Sequence, residues 1–194
     1  MSGEQPERLK VALIYHGYGG PDGGATESHV RTLAHALREA GHEPTVLAAR
    51  VGRTRRYEDD GIPVVEIGRL PERRLRSRAL DGPITHLTAV LHELGGFHVA
   101  HAFSPQEAFA ASFGPTGVAF TCVNAPRREA LAARRLRLAF WERATHPWNG
   151  LVVPGEQQRD ALRRWLAVEA EVAGPDDAAA HERVYRACWA RAID

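Results

Sequence analysis

Short, continuous apolar runs alternate along the chain with longer segments in which apolar residues recur every three or four positions. Continuous apolar runs are typical of strands buried on both faces of a parallel sheet, and the longer spacing is typical of helices with one buried face. The runs predict strands at 10–15, 45–50, 62–68, 97–103, 117–123 and 150–154. The spaced segments predict helices at about 26–40, 83–94, 105–113, 127–145 and 176–192, and one that ends near residue 166.

This alternation predicts the fold class. Strands that alternate with helices favour a parallel sheet covered by helices on both faces, and right-handed crossovers favour Rossmann-like winding. We therefore predict an α/β protein with a Rossmann-like, doubly wound parallel sheet in three α/β/α layers and the strand order 3-2-1-4-5-6. The length of 194 residues suits a single domain and is too short for two of ordinary size. Residues 1–174 are expected to form that domain.

Residues 175–194 are expected to form a terminal helix that packs back on the domain. Val184 and Cys188 lie about one helical turn apart, and so do Tyr185 and Trp189. Burial of each large side chain in such a stripe is worth roughly 1.5–3 kcal/mol. We expect docking through Tyr185, Cys188 and Trp189, and a melting temperature several degrees lower when the helix is deleted.

A glycine-rich stretch, HGYGGPDGGATESHV from His16 to Val30, joins the first predicted strand to the first predicted helix. Glycine adopts positive φ and lets a ligand approach the backbone, while the N-terminus of the helix offers N–H groups to a phosphate or carboxylate. Ligands of such sheets bind beyond the carboxyl ends of the strands, where this stretch lies. We therefore expect an anion-binding loop, and the alternative is a surface loop that binds nothing.

Two common nucleotide-binding motifs are poorly matched by this loop. A P-loop needs a lysine followed by Ser or Thr, and the one lysine of the chain, Lys10, precedes the loop. A nicotinamide-binding loop needs G-x-G-x-x-G, and Asp22 stands where the third glycine would be. The second strand ends in Arg50 where a ribose-binding acid is expected. Arg50 and Arg53 would suit the 2′-phosphate of NADP, which leaves NADP binding as a minor alternative.

The sequence predicts no metal site and no disulfide. An H-E-x-x-H pattern that begins at His92 fails at Gly96, and His98 and His101 fall on opposite faces of a predicted strand. The two cysteines form no C-x-x-C pair, and the polar start of the chain lacks the apolar core of a secretory signal. Reduced thiols and a cytoplasmic location are therefore expected.

Charge excludes one class of partner and leaves another open. A net charge of +1 argues against a general nucleic-acid binder. The predicted helix at 127–145 concentrates arginines, with Phe140 and Trp141 near its end. Contact with an anionic membrane surface would use such a helix, whereas a solvated face is the more usual role of charged helix positions. The solvated face is favoured, and membrane contact stays open.

The segment GGPDGGATESHVRTLAHALREAGHEPTVLAA resembles the opening of GT-B type glycosyltransferases of family four. Those enzymes begin with a strand, a Gly-Gly loop, a helix of the pattern hV-x-x-L-A-x-x-L-x-x-x-G-H-x-V and a second strand. The matching residues are Gly23-Gly24, His29-Val30, Leu33-Ala34, Leu37 and Gly41-His42. FHVAHAFS, GVAFTCVNAP and NGLVVPGEQQRDAL resemble later strands of the family, so the resemblance extends over about residues 10–166.

The chain departs from the family pattern in three ways. Phe103 replaces the second histidine of the fourth-strand motif, while His101 keeps the first. Val123 or Asn124 stands where the fifth strand usually presents histidine. Almost the whole second Rossmann-like domain, which carries the E-x7-E motif and most nucleotide-sugar contacts, has no counterpart. The last segment resembles the helix that closes such enzymes.

The resemblance implies sugar transfer to an unknown acceptor, with a nucleotide-sugar as co-substrate and no metal or other cofactor. Gly20, Gly23 and Gly24 are the implied binding residues of the loop, with Gly23 and Gly24 beside the donor diphosphate. Asn124 and His101 would bind sugar hydroxyls, and His101 is the best candidate for a catalytic residue. The absent domain implies a separate donor-domain partner protein and negligible transfer by this chain alone. The alternative is a non-catalytic Rossmann-like binding or scaffold module.

Overall fold

The computed structural model describes residues 6–20, 24–69, 84–123 and 135–193. Its strands are β1 (Lys10–Ile14), β2 (Glu43–Val51), β3 (Arg55–Asp59), β4 (Ile62–Arg69), β5 (Val99–Ala102), β6 (Gly117–Thr121), β7 (Gly150–Val153) and β8 (Glu171–Val172). Its helices are α1 (Gly24–Glu39), α2 (Ile84–Glu93), α3 (Pro105–Ala111), α4 (Arg135–Ala144), α5 (Glu156–Leu166) and α6 (Ala178–Ile193). Each of the six predicted apolar runs therefore forms a strand.

The strands of the described residues form one sheet in the order β3-β4-β2-β1-β5-β6-β7-β8. Every neighbouring pair is parallel except β3 with β4. The predicted strands correspond to β1, β2, β4, β5, β6 and β7, so the predicted order 3-2-1-4-5-6 is confirmed. Strand order reverses between β1 and β5, and the loops that follow these two strands therefore flank the crevice where such sheets bind ligands.

Strand β3, which forms a hairpin with β4, is an addition that the apolar pattern did not predict. β3 has the sequence RRYED and lies at the edge of the sheet, where no apolar run is needed because its side chains are largely exposed. Asp60 and Gly61 connect the two strands with φ values of 52° and 75°. Positive φ at both positions suits a two-residue hairpin turn, for which Asp-Gly is a preferred sequence.

Alternation along the buried strands divides the core into two layers. Val11 and Leu13 of β1 pack with α1 and α6, whereas Ala12 and Ile14 pack on the other face of the sheet with α2, α3, α4 and α5. All four side chains are fully buried, as a strand covered on both faces requires. The three-layer α/β/α architecture is therefore confirmed.

Helix α6 packs across the amino ends of β6 and β7, because both strands begin with glycine. A Cβ atom on Gly117 would lie 2.6 Å from the backbone carbonyl carbon of Cys188, and one on Gly150 would collide with the side chain of Val184. The missing side chains let the backbone of the helix approach the sheet closely. Tyr185 and Cys188 consequently become 0% and 1% exposed.

The edge of α6 makes shallower contacts than its centre. Trp189 is half-buried, and its ring centroid lies 4.9 Å from that of His98. Arg186 donates hydrogen bonds to the backbone carbonyl oxygens of Pro6 and Glu7, at 3.0 and 3.3 Å. The last helix is therefore joined to the first described residues of the chain.

We expect Gly117→Ala to lower the free energy of unfolding by about 1–3 kcal/mol, the usual cost of overpacking a core. The added methyl group would meet the backbone of α6 at Cys188, and a backbone cannot rotate away as a side chain does. Urea denaturation measures the change. Gly95→Ala is the matched control, because open space surrounds its Cβ position. Equal stability of the two variants would contradict the proposed role of Gly117.

Candidate functional site

The glycine loop, residues 15–24, follows β1 at the carboxyl edge of the sheet. Gly20 is exposed, and Gly24 begins α1 with a φ of 51° and open space around its Cβ position. Glycine is therefore favoured at position 24 by backbone conformation and not by lack of room. Gly23 and Asn124 lie outside the described residues, so their expected roles stay predictions.

Two glycine N–H groups of the described part of the loop donate hydrogen bonds within the protein. The N–H of Gly19 donates to Glu27 Oε2 at 3.2 Å, and that of Gly20 donates to the carbonyl oxygen of Gly17 at 3.2 Å. In this conformation they are occupied by the chain's own acceptors. The first turn of α1 is different, because the first N–H groups of any helix have no acceptors within that helix.

Side chains from α1 and the β3–β4 hairpin hold the loop in place. The Tyr18 hydroxyl donates to Asp59 Oδ2 at 2.8 Å, and Arg31 of α1 donates to the same oxygen at 2.6 Å. Arg31 also pairs with Glu27, the acceptor of the Gly19 N–H. Burial and the neighbouring Asp59 raise the pKa of Tyr18 above its ordinary value, so its hydroxyl stays protonated and donates. The hairpin therefore anchors the loop through Asp59.

A buried carboxylate meets a surface histidine at the same edge of the sheet. Glu107 of α3 is 1% exposed, and its Oε1 accepts the backbone N–H of His16 at 2.8 Å and lies 2.9 Å from His16 Nδ1. The His16 side chain is 28% exposed, so the ring reaches the surface within the glycine loop. Ser104 caps α3 by accepting the Glu107 N–H at 3.2 Å, which fixes the start of the helix that carries Glu107.

Sequence reasoning missed this pair. His16 was noted only as the start of the glycine stretch, and Glu107 lies 91 positions later. The one local signal is misleading: Ser104 followed by Glu107 matches a capping box, in which the glutamate carboxylate would return to the N–H of Ser104. The structure turns this carboxylate toward β1 instead, a contact that only the tertiary fold creates.

His101 lies inside the domain and not at a surface. Its fully buried ring stacks on Phe103 at a centroid distance of 4.7 Å. His101 Nδ1 lies 2.5 Å from the Tyr185 hydroxyl oxygen, and Nε2 lies 2.7 Å from Thr121 Oγ1. Burial, with smaller effects from two neighbouring histidines, lowers the pKa of His101 well below its ordinary value, so the ring is neutral. The sequence led us to expect His101 at the open crevice, and its buried position differs from that expectation. Catalysis by His101 stays a prediction.

Neither cysteine has the environment of a reactive nucleophile. Cys122 and Cys188 are free thiols buried in the core. Burial raises the pKa of Cys122 to about 12, and the pKa of Cys188 is also raised, so both sulfurs are neutral thiols at physiological pH. Within the described ranges, no three His, Cys, Asp or Glu side chains are grouped so that they could hold a metal ion.

The predicted basic helix is described only from its middle. Residues 127–134 lie outside the described residues, and α4 begins at Arg135. Phe140 and Trp141, the aromatic residues near the end of this helix, are buried against the core. None of the described helices combines the length and the apolar character needed to cross a membrane.

Residues 23–173 match the family model described as Glycosyltransferase Family 4. The match extends from the end of the glycine loop to the residue after β8. No curated protein matches the sequence significantly. Sucrose-phosphate synthase from Thermosynechococcus elongatus is similar in structure, with a TM-score of 0.63 and 16% identity over 85% of this chain and 47% of that one. A form of that synthase labelled with the ranges 27–220 and 406–426 gives a TM-score of 0.58 and 15% identity over 92% of this chain and 98% of that one. These likenesses show the fold, and this chain spans about half the length of the longer synthase structure.

Proposed function

The chain belongs to glycosyltransferase family 4, and we propose that it forms the acceptor-side half of an enzyme that transfers a sugar from a nucleotide-sugar donor. The observation that carries this proposal is the family match over residues 23–173, which includes the start of α1 and every strand from β2 to β8. The position of the glycine loop supports it, because a donor diphosphate bound at the crevice needs backbone N–H groups there.

The first turn of α1 is the proposed contact for the diphosphate, together with Gly23 and with Gly20, whose N–H would exchange the carbonyl oxygen of Gly17 for a phosphate oxygen. Helix N–H groups at this end lack intrahelical acceptors, and the helix dipole favours negative charge. At Gly24 a phosphate could occupy the open space that a side chain would otherwise fill. Negative charge grows on the diphosphate as its bond to the sugar breaks, so donors already in place lower the barrier. The nucleotide-sugar is the co-substrate, and the proposal includes no metal or other cofactor.

Asn124 is proposed to bind a sugar hydroxyl beyond the end of β6. It follows Thr121 by three positions, and the Thr121 hydroxyl is hydrogen-bonded to the buried His101. We therefore assign His101 a positioning role for the end of β6, in place of the direct sugar contact that the sequence suggested.

A donor-binding domain on a separate partner protein is proposed to complete the site. The family resemblance assigns most nucleotide-sugar contacts to a second domain, and this chain spans 47% of the longer synthase structure. Without such a domain, water would reach the crevice and the two reactants would not be held together. We therefore expect negligible transfer by the chain alone.

Reconstitution tests the proposal. Affinity-tagged chain is purified from its native cells, and its partners are identified by mass spectrometry. The chain alone and the complex are then assayed with radiolabelled uridine-, guanosine- and adenosine-diphosphate sugars. We expect a partner that carries E-x7-E, and transfer by the complex only. Turnover by the chain alone would refute the half-enzyme proposal, and a stable complex that uses no donor would favour the scaffold alternative.

We expect Gly24→Val to reduce transfer by the complex to background. Valine would adopt a φ of 51° only at a cost, and its side chain would fill the space left for the phosphate. Gly41→Val is the matched control, because Gly41 lies just beyond the other end of α1 with a φ of 88° and equally open surroundings. Transfer at the level of the control would remove the glycine loop from the mechanism.

A further inference from the structure

Three charged residues lie on neighbouring strands at the carboxyl edge of the sheet, and the function proposed above gives them no role. Arg50 is near the end of β2, Glu66 is near the end of β4, and Arg55 begins the antiparallel strand β3. Arg55 lies opposite Glu66, and Arg50 is two residues beyond Ala48, the partner of Glu66 on β2. Alternation puts all three on the face that α1 covers, because Ala48 and Val64 pack in that layer.

Glu66 and Tyr57 hold the two arginines in place. Glu66 Oε2 accepts a hydrogen bond from Arg50 Nη1 at 3.2 Å, and Glu66 Oε1 accepts one from the Tyr57 hydroxyl at 3.4 Å. Burial and the neighbouring Glu66 raise the pKa of Tyr57, so its hydroxyl stays protonated and donates. The guanidinium carbon of Arg55 lies 4.9 Å from the centroid of the Tyr57 ring. Both arginines are exposed, whereas the side chain of Glu66 is only 18% exposed.

These contacts use few of the hydrogen-bond donors that the two arginines carry. A guanidinium group has five N–H donors in a planar fork. Arg50 gives one hydrogen bond to Glu66, and Arg55 gives none to the residues that the structure describes, because it contacts Tyr57 through its face. Arg53, in the turn between β2 and β3, is also exposed. Three guanidinium groups and one carboxylate leave this group with two positive charges.

The arginine group, which consists of Arg50, Arg53 and Arg55, lies next to the glycine loop. A Cβ atom on Gly19 would lie 3.5 Å from the Tyr57 hydroxyl oxygen and 3.8 Å from Glu66 Oε1, so the loop backbone packs on the residues that hold the arginines. The other end of the loop leads into α1, where the donor diphosphate is proposed to bind. An anion at the arginine group would therefore lie beside the same loop as the diphosphate, at a separate position.

We propose that Arg50 and Arg55 bind a phosphate monoester carried by the acceptor sugar, with Arg53 as a further positive charge. The inference rests on the proposed function, because it names the chemical class of the acceptor at that same edge of the sheet. A phosphate monoester carries a charge of about −1.5 to −2 at pH 7, which matches the two positive charges of the group. Its three oxygen atoms accept hydrogen bonds from guanidinium forks, often in pairs. Glu66 and Tyr57 are the positioning residues, since they hold the arginines in place.

The 2′-phosphate of NADP is another source of the same chemistry, and the sequence offered Arg50 and Arg53 for it. A nicotinamide dinucleotide also needs a G-x-G-x-x-G loop for its pyrophosphate, and Asp22 interrupts that pattern here. The sugar phosphate is therefore the favoured ligand, and NADP enters the experiment as the competing one.

Nuclear magnetic resonance of the chain alone tests the site without any transfer reaction. The Nε–H signals of the arginines are followed by ¹H–¹⁵N correlation and assigned with Arg50→Gln and Arg55→Gln. Glucose 6-phosphate is the probe, and glucose, inorganic phosphate and NADP are the comparison compounds. We expect saturable shifts of both arginines with glucose 6-phosphate, none with glucose, and weaker binding of inorganic phosphate, because the sugar adds contacts in the crevice.

Three outcomes of the titration would overturn the proposal. The absence of a saturable shift with glucose 6-phosphate would show that the arginine group binds no sugar phosphate. Equal affinity for inorganic phosphate would indicate an adventitious ion only. Tighter binding of NADP than of glucose 6-phosphate would assign the group to a nucleotide.

Arg55→Gln and Arg56→Gln form a matched pair of variants. Arg56 is the next residue of the same strand, but it points to the opposite face and pairs with Glu93 of α2. We expect Arg55→Gln to raise the Kd for glucose 6-phosphate at least tenfold, as loss of a charge-assisted hydrogen bond predicts, with an unchanged melting temperature. Arg56→Gln should leave the Kd unchanged. An equal rise in both variants would show a general effect of surface charge and would overturn the proposal.

The reconstituted complex separates failure of this proposal from failure of the proposed function. Arg55→Gln should raise the acceptor KM about tenfold and leave the donor KM unchanged. A complex that transfers no sugar, while glucose 6-phosphate still shifts both arginine signals, would refute the proposed function and keep the phosphate site. Transfer by the Arg55→Gln complex with an unchanged acceptor KM would refute the phosphate site and keep the function.

Discussion

Deletion of residues 175–194 is expected to abolish cooperative folding of the domain, a larger effect than the shift of several degrees that the sequence alone suggested. Tyr185, Cys188 and His181 of α6 are all 0–1% exposed. Burial of large side chains contributes roughly 1.5–3 kcal/mol each, and Val184 and Trp189 add partial burial. The sum is on the order of 5 kcal/mol, which approaches the whole stability of a small domain.

Loss of α6 would also leave polar groups of the sheet without their partners. His101 Nδ1 would lose the Tyr185 hydroxyl, and an unsatisfied buried group costs about 1–3 kcal/mol. Thermal unfolding followed by circular dichroism measures the outcome. A shorter deletion of residues 191–194 is the control, because residues 191–193 are exposed. A cooperative transition of the long deletion at the control's temperature would show that α6 is not needed for the fold.

Acidification from pH 6.5 to about pH 5 is expected to destabilise the domain strongly, because three histidines are buried around the base of α6. Burial lowers the pKa of His181 to about 4, lowers that of His101 well below its ordinary value and lowers that of His29. The folded protein keeps these rings neutral, whereas the unfolded chain protonates them near pH 6.5. The stability that depends on these neutral rings is therefore fully present above pH 6.5, and it is lost as the pH falls toward the folded-state pKa values. For His181 alone the loss at pH 5 is about 2 kcal/mol.

The slope of unfolding free energy against pH measures this effect. Each buried histidine contributes up to about 1.4 kcal/mol per pH unit within the window. His181→Gln should reduce the slope of unfolding free energy against pH by the contribution of one titrating histidine, even if the variant is less stable. His146→Gln is the control, because His146 is exposed, and it should leave that slope unchanged. Glu182, whose pKa is lowered by Arg186, titrates below this window, and Asp177 opposes the shift of His181 only in part. A flat profile would show that the buried rings are protonated in the folded state.

The sheet could be predicted from the sequence because its central strands are buried on both faces and so need continuous apolar runs. Strand β3 could not be predicted in this way, because an edge strand such as RRYED needs no apolar run. Its one signal in the sequence is the Asp60-Gly61 turn that follows it. The glycine loop was located correctly for the same reason as the sheet: it follows a strand whose end was clear. Its anchoring by Asp59 depends on the unpredicted hairpin.

The candidate site was harder to predict because side-chain direction decides it. His101 was expected at the crevice, but it shares a face of β5 with Val99, and both pack in the layer formed with α1 and α6. Leu13, its register partner on β1, belongs to that same layer. Strict alternation along β5 would have predicted a buried ring. Glu107 and His16 carry no comparable signal, because nothing local links a residue of α3 to the end of β1.

The path of the chain between β8 and α6 also makes the domain receptive to protein engineering. β8 runs parallel to β7, so it ends at the same edge of the sheet as the glycine loop, and Gly174 lies in the short connection to α6. A foreign domain grafted at Gly174 would leave and rejoin the scaffold through one surface loop and would interrupt no strand or helix. Its two ends would emerge at the edge where the crevice opens. The connection at Gly174 is therefore a suitable insertion site for building a two-domain chimera as a single polypeptide.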